Sequence, residues 1–515
     1  MNPKNPKTRL QYTIKNIVYS FVGYAVITVL SFISRKLFLL EIGLVYQGVN
    51  SAFSDVLVLL SLAEMGFTSA IIASLYKPIA QNDVEKIRSL LALCKKIYHA
   101  LAVVMALGGL AITPFIYQLV NDTTLPYLQF YFLLFVGNSV VSYLFSYKQC
   151  LFFVNQKNYI STVVKSFSQS VQMLLQIAVI LFTHNFTLYI IVQGLCTLLN
   201  NFIISYMANK EHPYLRSKAA IQPLQAEEKQ FLFRNVKAFG LTKIGSTIVQ
   251  GTDNIIITAF LGFVTTGLYS NYYMITNTIK MFVTMVFNAA NGSIGNINHT
   301  ETEETRYNVF WNVFLFNGWL SMFCSVSLLV LLNPFISLMF GQQYLLSLPV
   351  VAIVVANFYL VCIANTASTY IGTFGLYWHQ RYRALFEVPI NLVVSLLLVK
   401  PLGVFGVFLG TFVSFVCTVF WWEPHILFKH GFARPAAPYF KKLGLYTLAT
   451  VGLYLVTEFY AGLVPGAGYA NFVGQVLVCL VVPNLLFVAL FWRTQQMRNL
   501  WGIVKGVARK VLRRK

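Results

Sequence analysis

Apolar runs of about 20 residues recur along nearly the whole chain, and they constrain its fold more than any motif does. Each is long enough to cross the hydrocarbon layer of a bilayer as a helix. In lipid every backbone N–H and C=O must be satisfied internally, so such runs span as helices. About fourteen can be delimited: 13–42, 46–76, 97–119, 125–147, 159–182, 187–208, 238–261, 266–290, 308–332, 346–372, 384–400, 402–423, 443–463 and 471–492. Only 10% of the 515 residues are charged and 57% are hydrophobic, against roughly 25% charged in soluble proteins. A water-soluble core cannot hide that much apolar surface. The expected class is therefore an all-α polytopic membrane protein. The first run is too long for a signal-peptide core and lacks a small-residue cleavage site, so it reads as a retained helix.

The formal net charge of +22 could suggest nucleic acid. The placement of the cations argues otherwise, because they fall in the short connections and tails. With the N-terminus in the cytoplasm, the inner segments hold Lys4, Lys7, Arg9, Lys77, Lys86, Arg88, Lys95, Lys96, Lys148, Lys157, Lys210, Arg216 and the later basic clusters. The outer connections hold almost none beyond Lys400. This is the positive-inside pattern, and it predicts a multi-pass protein of the cytoplasmic membrane with both termini inside.

The longest polar stretch, NKEHPYLRSKAAIQPLQAEEKQFLFRN (209–235), follows the sixth run and divides the chain. A shift of 219 residues places Asn16 on Asn235, Thr28 on Thr247, Gly43 on Gly262, Gly48 on Gly267, Ser51 on Ser270 and Ser74 on Ser293. The paired glycines, each pair following a long apolar helix, carry most of this weak match. Two six-span halves are the parallel-repeat plan of many transporters, with the substrate path at the repeat interface. The expected organisation is an N-terminal lobe (1–208), a cytoplasmic linker (209–237), a C-terminal lobe (238–424), and two extra spans with a basic tail (425–515). The tail RTQQMRNLWGIVKGVARKVLRRK (493–515) sets Leu500, Val504, Val507 and Val511 on one helical face. That pattern suits the inner membrane surface.

No GxxxxGK[ST] loop, HExxH or GxSxG motif is present, and no soluble stretch is large enough for a catalytic core. The chain is not expected to be an enzyme. The seven cysteines are scattered, mostly within apolar runs, with no metal-ligand spacing. No metal or cofactor is expected. NDT (121–123) and NFT (185–187) match the glycosylation sequon in outer loops, a short and common motif.

The informative residues are polar ones inside the spans, because such residues face a bundle interior or a wet cavity. They recur at helical spacing, which gathers each set on one face. The first span carries Ser20, Tyr24, Thr28, Ser31 and Arg35; the second Asp55, Ser61, Glu64 and Thr68. The fifth carries Lys165, Gln169, Gln172 and Gln176. The seventh carries Lys243, Thr247, Gln250 and Asn254 beside Asp253. The eighth carries Asn277, Lys280, Thr284, Asn288 and Asn291, and the eleventh Glu387, Asn391 and Ser395. A single such residue is ordinary interhelical glue, at about 0.6 kcal/mol per bond. Five or more stripes, several with a cation, describe a water-filled passage instead.

Under the repeat shift Arg35 falls on Asn254, next to Asp253, so Arg35 and Asp253 are expected to meet across the repeat interface. A guanidinium freed from such a pair would grip phosphate oxygens. Lys165, Lys243 and Lys280 would add positive potential. Lys165 and Lys243 lie near inner helix ends, where snorkelling competes, and Lys280 lies deeper. Lys36 reads as a snorkelling anchor at the outer headgroups.

LLSLAEMGFTSAIIASLYKPIAQNDVEKIRSLL (59–91) and GTDNIIITAFLGFVTTGLYSNYYMITNTIKMFVTMVFNAANGSIGNI (251–297) resemble the Wzx-type polysaccharide flippases. These belong to the superfamily of multidrug, oligosaccharidyl-lipid and polysaccharide exporters. The resemblance covers at least the first eight spans. It implies two six-helix lobes in a V around a central cavity open to one side at a time. It also implies a cargo of sugar repeat units on polyprenyl diphosphate. SRKLFLLEIG (34–43) is similar to the first-helix arginine motif of the peptidoglycan-precursor flippases, with Arg35 at the arginine that holds the diphosphate. Lys36 follows it directly, and the later part of that motif is not reproduced.

The implied partners are a polyprenyl-diphosphate-linked oligosaccharide, membrane lipids, a coupling proton or sodium ion, and other membrane proteins of polysaccharide assembly, with no nucleic acid. The lysines, arginine and amides named above are the expected substrate-binding set. Asp253, Glu64 and Asp55 are the expected coupling or charge-pairing set. The competing reading is a cation-coupled multidrug exporter of the same superfamily, whose cavity should be acidic and aromatic. A polymerase of the same pathway should show a large outer loop, which this chain lacks.

Overall fold

The computed structural model describes residues 6–61, 67–119, 125–155, 157–216, 226–466 and 468–512. Among them the regular structure is entirely helical, with no strand. The long helices are α1 (Pro6–Glu41), α2 (Leu44–Leu60), α3 (Phe67–Gln81), α4 (Val84–Ile112), α5 (Leu128–Phe145), α6 (Asn158–Thr183), α7 (Phe186–Glu211) and α8 (Ala226–Thr300). They continue with α9 (Glu303–Met339), α10 (Leu348–Thr373), α11 (Arg383–Cys417), α12 (Val419–Ile426), α13 (Ala437–Gly462), α14 (Gly468–Phe491) and α15 (Gln495–Leu512). Among the described residues, ten helical stretches are long and apolar enough to cross a membrane, and three shorter apolar helices accompany them. The stretch Trp378–Gly431 holds two of the runs delimited in the sequence, and Gly251–Asn288 joins the end of one to most of the next.

Where those double stretches break, glycine is the cause. Gly262 interrupts α8 at φ 82°, ψ 171°, and Gly403 interrupts α11 at φ 58°, ψ −138°. Residues with a Cβ rarely adopt such φ values. Gly43, between α1 and α2, stands at φ 104°, ψ 166°, close to Gly262 and one shift of 219 away. The same shift carries His184, left-handed at φ 49° after α6, onto Gly403. It also carries the N-cap Asp83 of α4 onto the N-cap Thr302 of α9. Asp83 accepts a bond from the Lys86 amide at 3.0 Å, and Thr302 from the Thr305 amide at 3.3 Å. The two halves thus share break points and caps even where side chains differ.

The chain forms two compact units, Met1–Gly267 and Leu268–Lys515. In the first unit, α1 packs on α6, α4 on α5, and α7 on both α5 and α6. Phe53 of α2 lies edge-on to Phe132 and Phe135 of α5, with ring centroids 5.1 and 5.8 Å away, a favourable aromatic geometry. Within the same unit α2 also lies against the segment after the α8 break. A Cβ on Gly48 would stand 1.9 Å from the Phe263 carbonyl oxygen, and one on Gly267 would stand 2.5 Å from the Leu44 carbonyl oxygen. Leu44 and Phe263 are themselves one shift apart, so the contact is reciprocal.

In the second unit α9 is central and packs on α10, α13 and α14. Its Phe310 and Phe314 stack, and Phe314 lies 4.6 Å from Tyr439 of α13. The basic tail is helical as α15. Its first turns dock on α9 through Met497 and Leu500, and the Asn499 amide donates to Asn312 at 3.2 Å. Residues 217–225 of the polar linker, the NDT triplet at 121–123 and the last three tail residues lie outside the described set.

Candidate functional site

The polar stripe of α6 lines a cavity in the first unit. Lys165, Ser168, Gln169 and Gln172 face Ser142 and Tyr143 of α5 and Cys196, Thr197, Asn200 and Asn201 of α7 across about 290 Å³. Spacings of three and four residues place the α6 set on one helical face, as the periodicity requires. A second cavity of about 230 Å³ shares Ser142 and Tyr143. It is walled by Ser54 and Val58 of α2, Met105 of α4, Asn138 and Ser139 of α5, and Gln193 of α7. Among the described residues that line them, none is acidic, and Lys165 is the only charged side chain.

Part of this polar wall is satisfied within the protein. The Asn200 amide nitrogen donates to Asn201 Oδ1 at 3.3 Å, and the Asn201 amide donates to the Ser142 carbonyl at 3.2 Å. Thr197 donates to the Gln193 carbonyl at 2.9 Å and Ser142 to the Ser139 carbonyl at 2.7 Å. Other groups are left over. Ser168 Oγ, Asn200 Oδ1 and Asn138 Oδ1 are buried with no hydrogen-bond partner in the protein. Ser168 is only 4% exposed. Buried polar atoms without partners are uncommon and each calls for a reason; two on the first cavity and one, Asn138 Oδ1, on the adjoining second cavity point to a polar guest.

The remaining expected residues are placed differently. Gln176 closes the α6 stripe: its amide donates to the Tyr189 carbonyl at 3.2 Å and its oxygen accepts from Gln172 at 3.4 Å. Arg35 is half-buried on α1, with Tyr189 of α7 as an electrostatic neighbour. Asp253 is buried on α8. Beside it Asn254 donates its amide to the Asp55 carboxylate of α2 at 2.5 Å. The position that the repeat equates with Arg35 thus serves an acid. Lys280 is half-buried on α8 in the second unit, with Cys362 of α10 as an electrostatic neighbour. Asn277 reaches the Met281 sulfur at 3.9 Å, and Asn288 is exposed. Glu64 lies outside the described residues, as does the Lys243 side chain.

Two groups escaped the sequence reading. Gln193, Thr197 and Asn200/Asn201 recur at helical spacing on α7, a signal as strong as that of α6. In the second unit Arg383 sits between two buried carboxylates. It pairs with Glu423, lies 3.5 Å from Glu387, and Glu423 also accepts from the Ser368 hydroxyl at 2.5 Å. In the sequence a cation at a span end reads only as an orienting charge.

No protein-family model matches the sequence, and no curated protein resembles it significantly. Solved structures do match. A lipid II flippase, MurJ, in an inward closed conformation aligns over 92% of this chain and 99% of its own, with a TM-score of 0.65 at 13% identity. A multidrug resistance MATE transporter of the MOP superfamily, inward-facing, aligns over 81% and 100%, with a TM-score of 0.59 at 12% identity. A MOP superfamily transporter from Pyrococcus furiosus, described as having a binding pocket of reverse polarity, aligns over 82% and 96%, with a TM-score of 0.57 at 11% identity. At these identities the likeness is one of fold: the chain adopts the helical architecture shared by the lipid II flippase and the multidrug transporters of the MOP superfamily.

Proposed function

We propose that the protein is a Wzx-type flippase, moving polyprenyl-diphosphate-linked oligosaccharide repeat units across the cytoplasmic membrane for cell-surface polysaccharide synthesis. The supporting observation is the first-unit cavity. Hydroxyls and amides with unmet hydrogen-bonding capacity suit a sugar, which donates and accepts at every hydroxyl. A lysine without acidic neighbours on the wall suits an anionic cargo and repels the cationic drugs of an exporter. The fold shared with a lipid II flippase agrees. Transport then proceeds by alternating access, a two-state equilibrium that cargo shifts only through its different affinity for the two states. Arg35 and Lys280, with Lys243, are the proposed diphosphate contacts, and Asn277 and Asn288 extend the polar path. Asp55, Asp253 and Glu64 are the proposed coupling acids, driven by a proton or sodium gradient. Both termini lie in the cytoplasm in this reading, and other membrane proteins of polysaccharide assembly are its partners.

The test is transbilayer movement of a fluorescent polyprenyl-diphosphate oligosaccharide in vesicles carrying the intact protein or Arg35→Ala, with insertion of both checked. Movement that needs the protein and collapses in the variant is the expected result. Movement that survives in the variant returns Arg35 to a structural role. If no lipid-linked sugar moves while cationic dyes do, the flippase reading fails and the exporter takes its place.

A further inference from the structure

The polar wall of the first-unit cavity is more selective than a generic sugar site. Its leftover groups are a hydroxyl and an amide oxygen that can only accept. The Asn200 amide nitrogen is engaged by Asn201, which fixes its unpaired oxygen as an acceptor awaiting a donor. Asn138 Oδ1, on the adjoining cavity that shares Ser142 and Tyr143, has the same need. A diphosphate offers only acceptor oxygens and would leave both unmet, at the cost of buried unsatisfied groups. It would also be served by a single lysine, whereas phosphate sites gather guanidinium forks or several backbone N–H groups. Sugar hydroxyls, by contrast, donate to amide oxygens and accept from Ser168, Gln169 and Gln172. Lys165 stands exposed at this wall, one turn from Ser168 and Gln169. A point charge of one unit beside hydroxyl-binding amides matches one carboxylate carried on a sugar ring.

We propose that this cavity binds an acidic sugar, with Lys165 pairing with its carboxylate while Asn200 and Ser168 take neighbouring hydroxyls and Asn138, in the adjoining cavity, takes one from the next ring. The proposal rests on the flippase reading and narrows its cargo to repeat units that contain a uronate-type residue.

The full-length protein in lipid nanodiscs is titrated with two tetrasaccharides that differ only in one glucuronate in place of glucose, and separately with inorganic diphosphate. The glucuronate probe is expected to bind more tightly than its neutral twin. Lys165→Gln should remove roughly tenfold of that affinity, as expected for an exposed charge-assisted hydrogen bond, and Lys165→Arg should retain it. Binding of the neutral probe should fall by less than that of the glucuronate probe in Lys165→Gln, which closes the gap between the two. Equal binding of both sugars overturns the proposal. So does diphosphate binding that Lys165→Gln abolishes, because the lysine then belongs to the lipid-linked end. The two readings fail separately. Vesicles that flip a neutral lipid-linked sugar as fast as an acidic one keep the flippase and sink the acidic cargo. Acidic-sugar binding without movement of any lipid-linked sugar sinks the flippase and keeps the site.

Discussion

The reciprocal glycine contact between α2 and the segment after the α8 break gives a prediction whose magnitude follows from its geometry. In Gly48→Ala the new Cβ would lie 1.9 Å from the Phe263 carbonyl oxygen and 2.7 Å from its carbon. Both are backbone atoms, so no side-chain rotation relieves the clash. Ordinary contact begins near 3.4 Å, and the two backbones must part by about 1.5 Å. Overpacking of this kind costs about 1–3 kcal/mol. A backbone-on-backbone clash belongs at the upper end, because small residues are what let helices approach so closely in membranes. For a unit of this size about 3 kcal/mol corresponds to a loss of roughly 6 °C or more in apparent unfolding temperature. Gly267→Ala meets the Leu44 carbonyl oxygen at 2.5 Å and should cost less. The double variant should fall short of additivity, since both changes pry at one contact. The assay is thermal unfolding of the purified protein in detergent at a fixed scan rate. Gly137→Ala on α5, where a Cβ meets nothing within 4 Å, is the control and should be neutral or slightly stabilising. A Gly48→Ala protein as stable as that control would refute the close packing of α2 and with it the reciprocal geometry of the repeats.

Two more predictions concern charged groups. Arg383→Ala leaves Glu387 and Glu423, both under 10% exposed, without their shared cation. Breaking a buried pair from one side costs about 3–5 kcal/mol, so denaturant stability of the second unit should drop sharply, and the triple change to Ala, Gln and Gln should recover much of it; equal losses in both would remove the charge argument. His212, just past the end of α7, is held below the ordinary histidine value chiefly by burial, with Lys157 acting in the same sense and Glu211 opposing. Its neutral ring bonds the Tyr214 hydroxyl at 3.2 Å. A depressed histidine contributes stability that is fully present above the unfolded value of 6.5 and is lost as pH falls below it towards the folded value. Limited proteolysis around 212–216 should therefore quicken from pH 7.5 to 5.5, and His212→Phe should abolish that change; an unchanged pH response in the variant would assign it elsewhere.

The α6 stripe shows what was legible in advance. Its residues are spaced by the helix itself, so a face could be read without knowing its partner. The α7 stripe is equally periodic, but its asparagines adjoin at 200 and 201 among apolar neighbours, which blurs the face in the sequence. Gln176 shared the α6 periodicity yet ends in a bond to the Tyr189 carbonyl. Spacing predicts the face, and only packing tells which members meet a cavity. The glycine pairs were the more reliable part of the repeat. Gly43 and Gly262 mark backbone conformations that side chains disfavour, and such positions tolerate few substitutes. The caps at Asp83 and Thr302 changed identity while keeping their bond.

The sequence by itself determined the membrane class, the helical character of most segments and the polar faces. All of these follow from short-range rules, since lipid forces backbone bonds to close within a helix and periodicity is written over a few turns. The tertiary structure decided which faces meet. Asp55 takes its hydrogen bond from Asn254, 199 residues away; Arg383 finds Glu423 across a helix break; and Ser168, Asn138 and Asn200 are left unmet around two adjoining cavities. Those outcomes depend on how helices distant in sequence pack, because a buried polar group is satisfied or orphaned by whatever neighbour the packing supplies, and no local pattern encodes that neighbour.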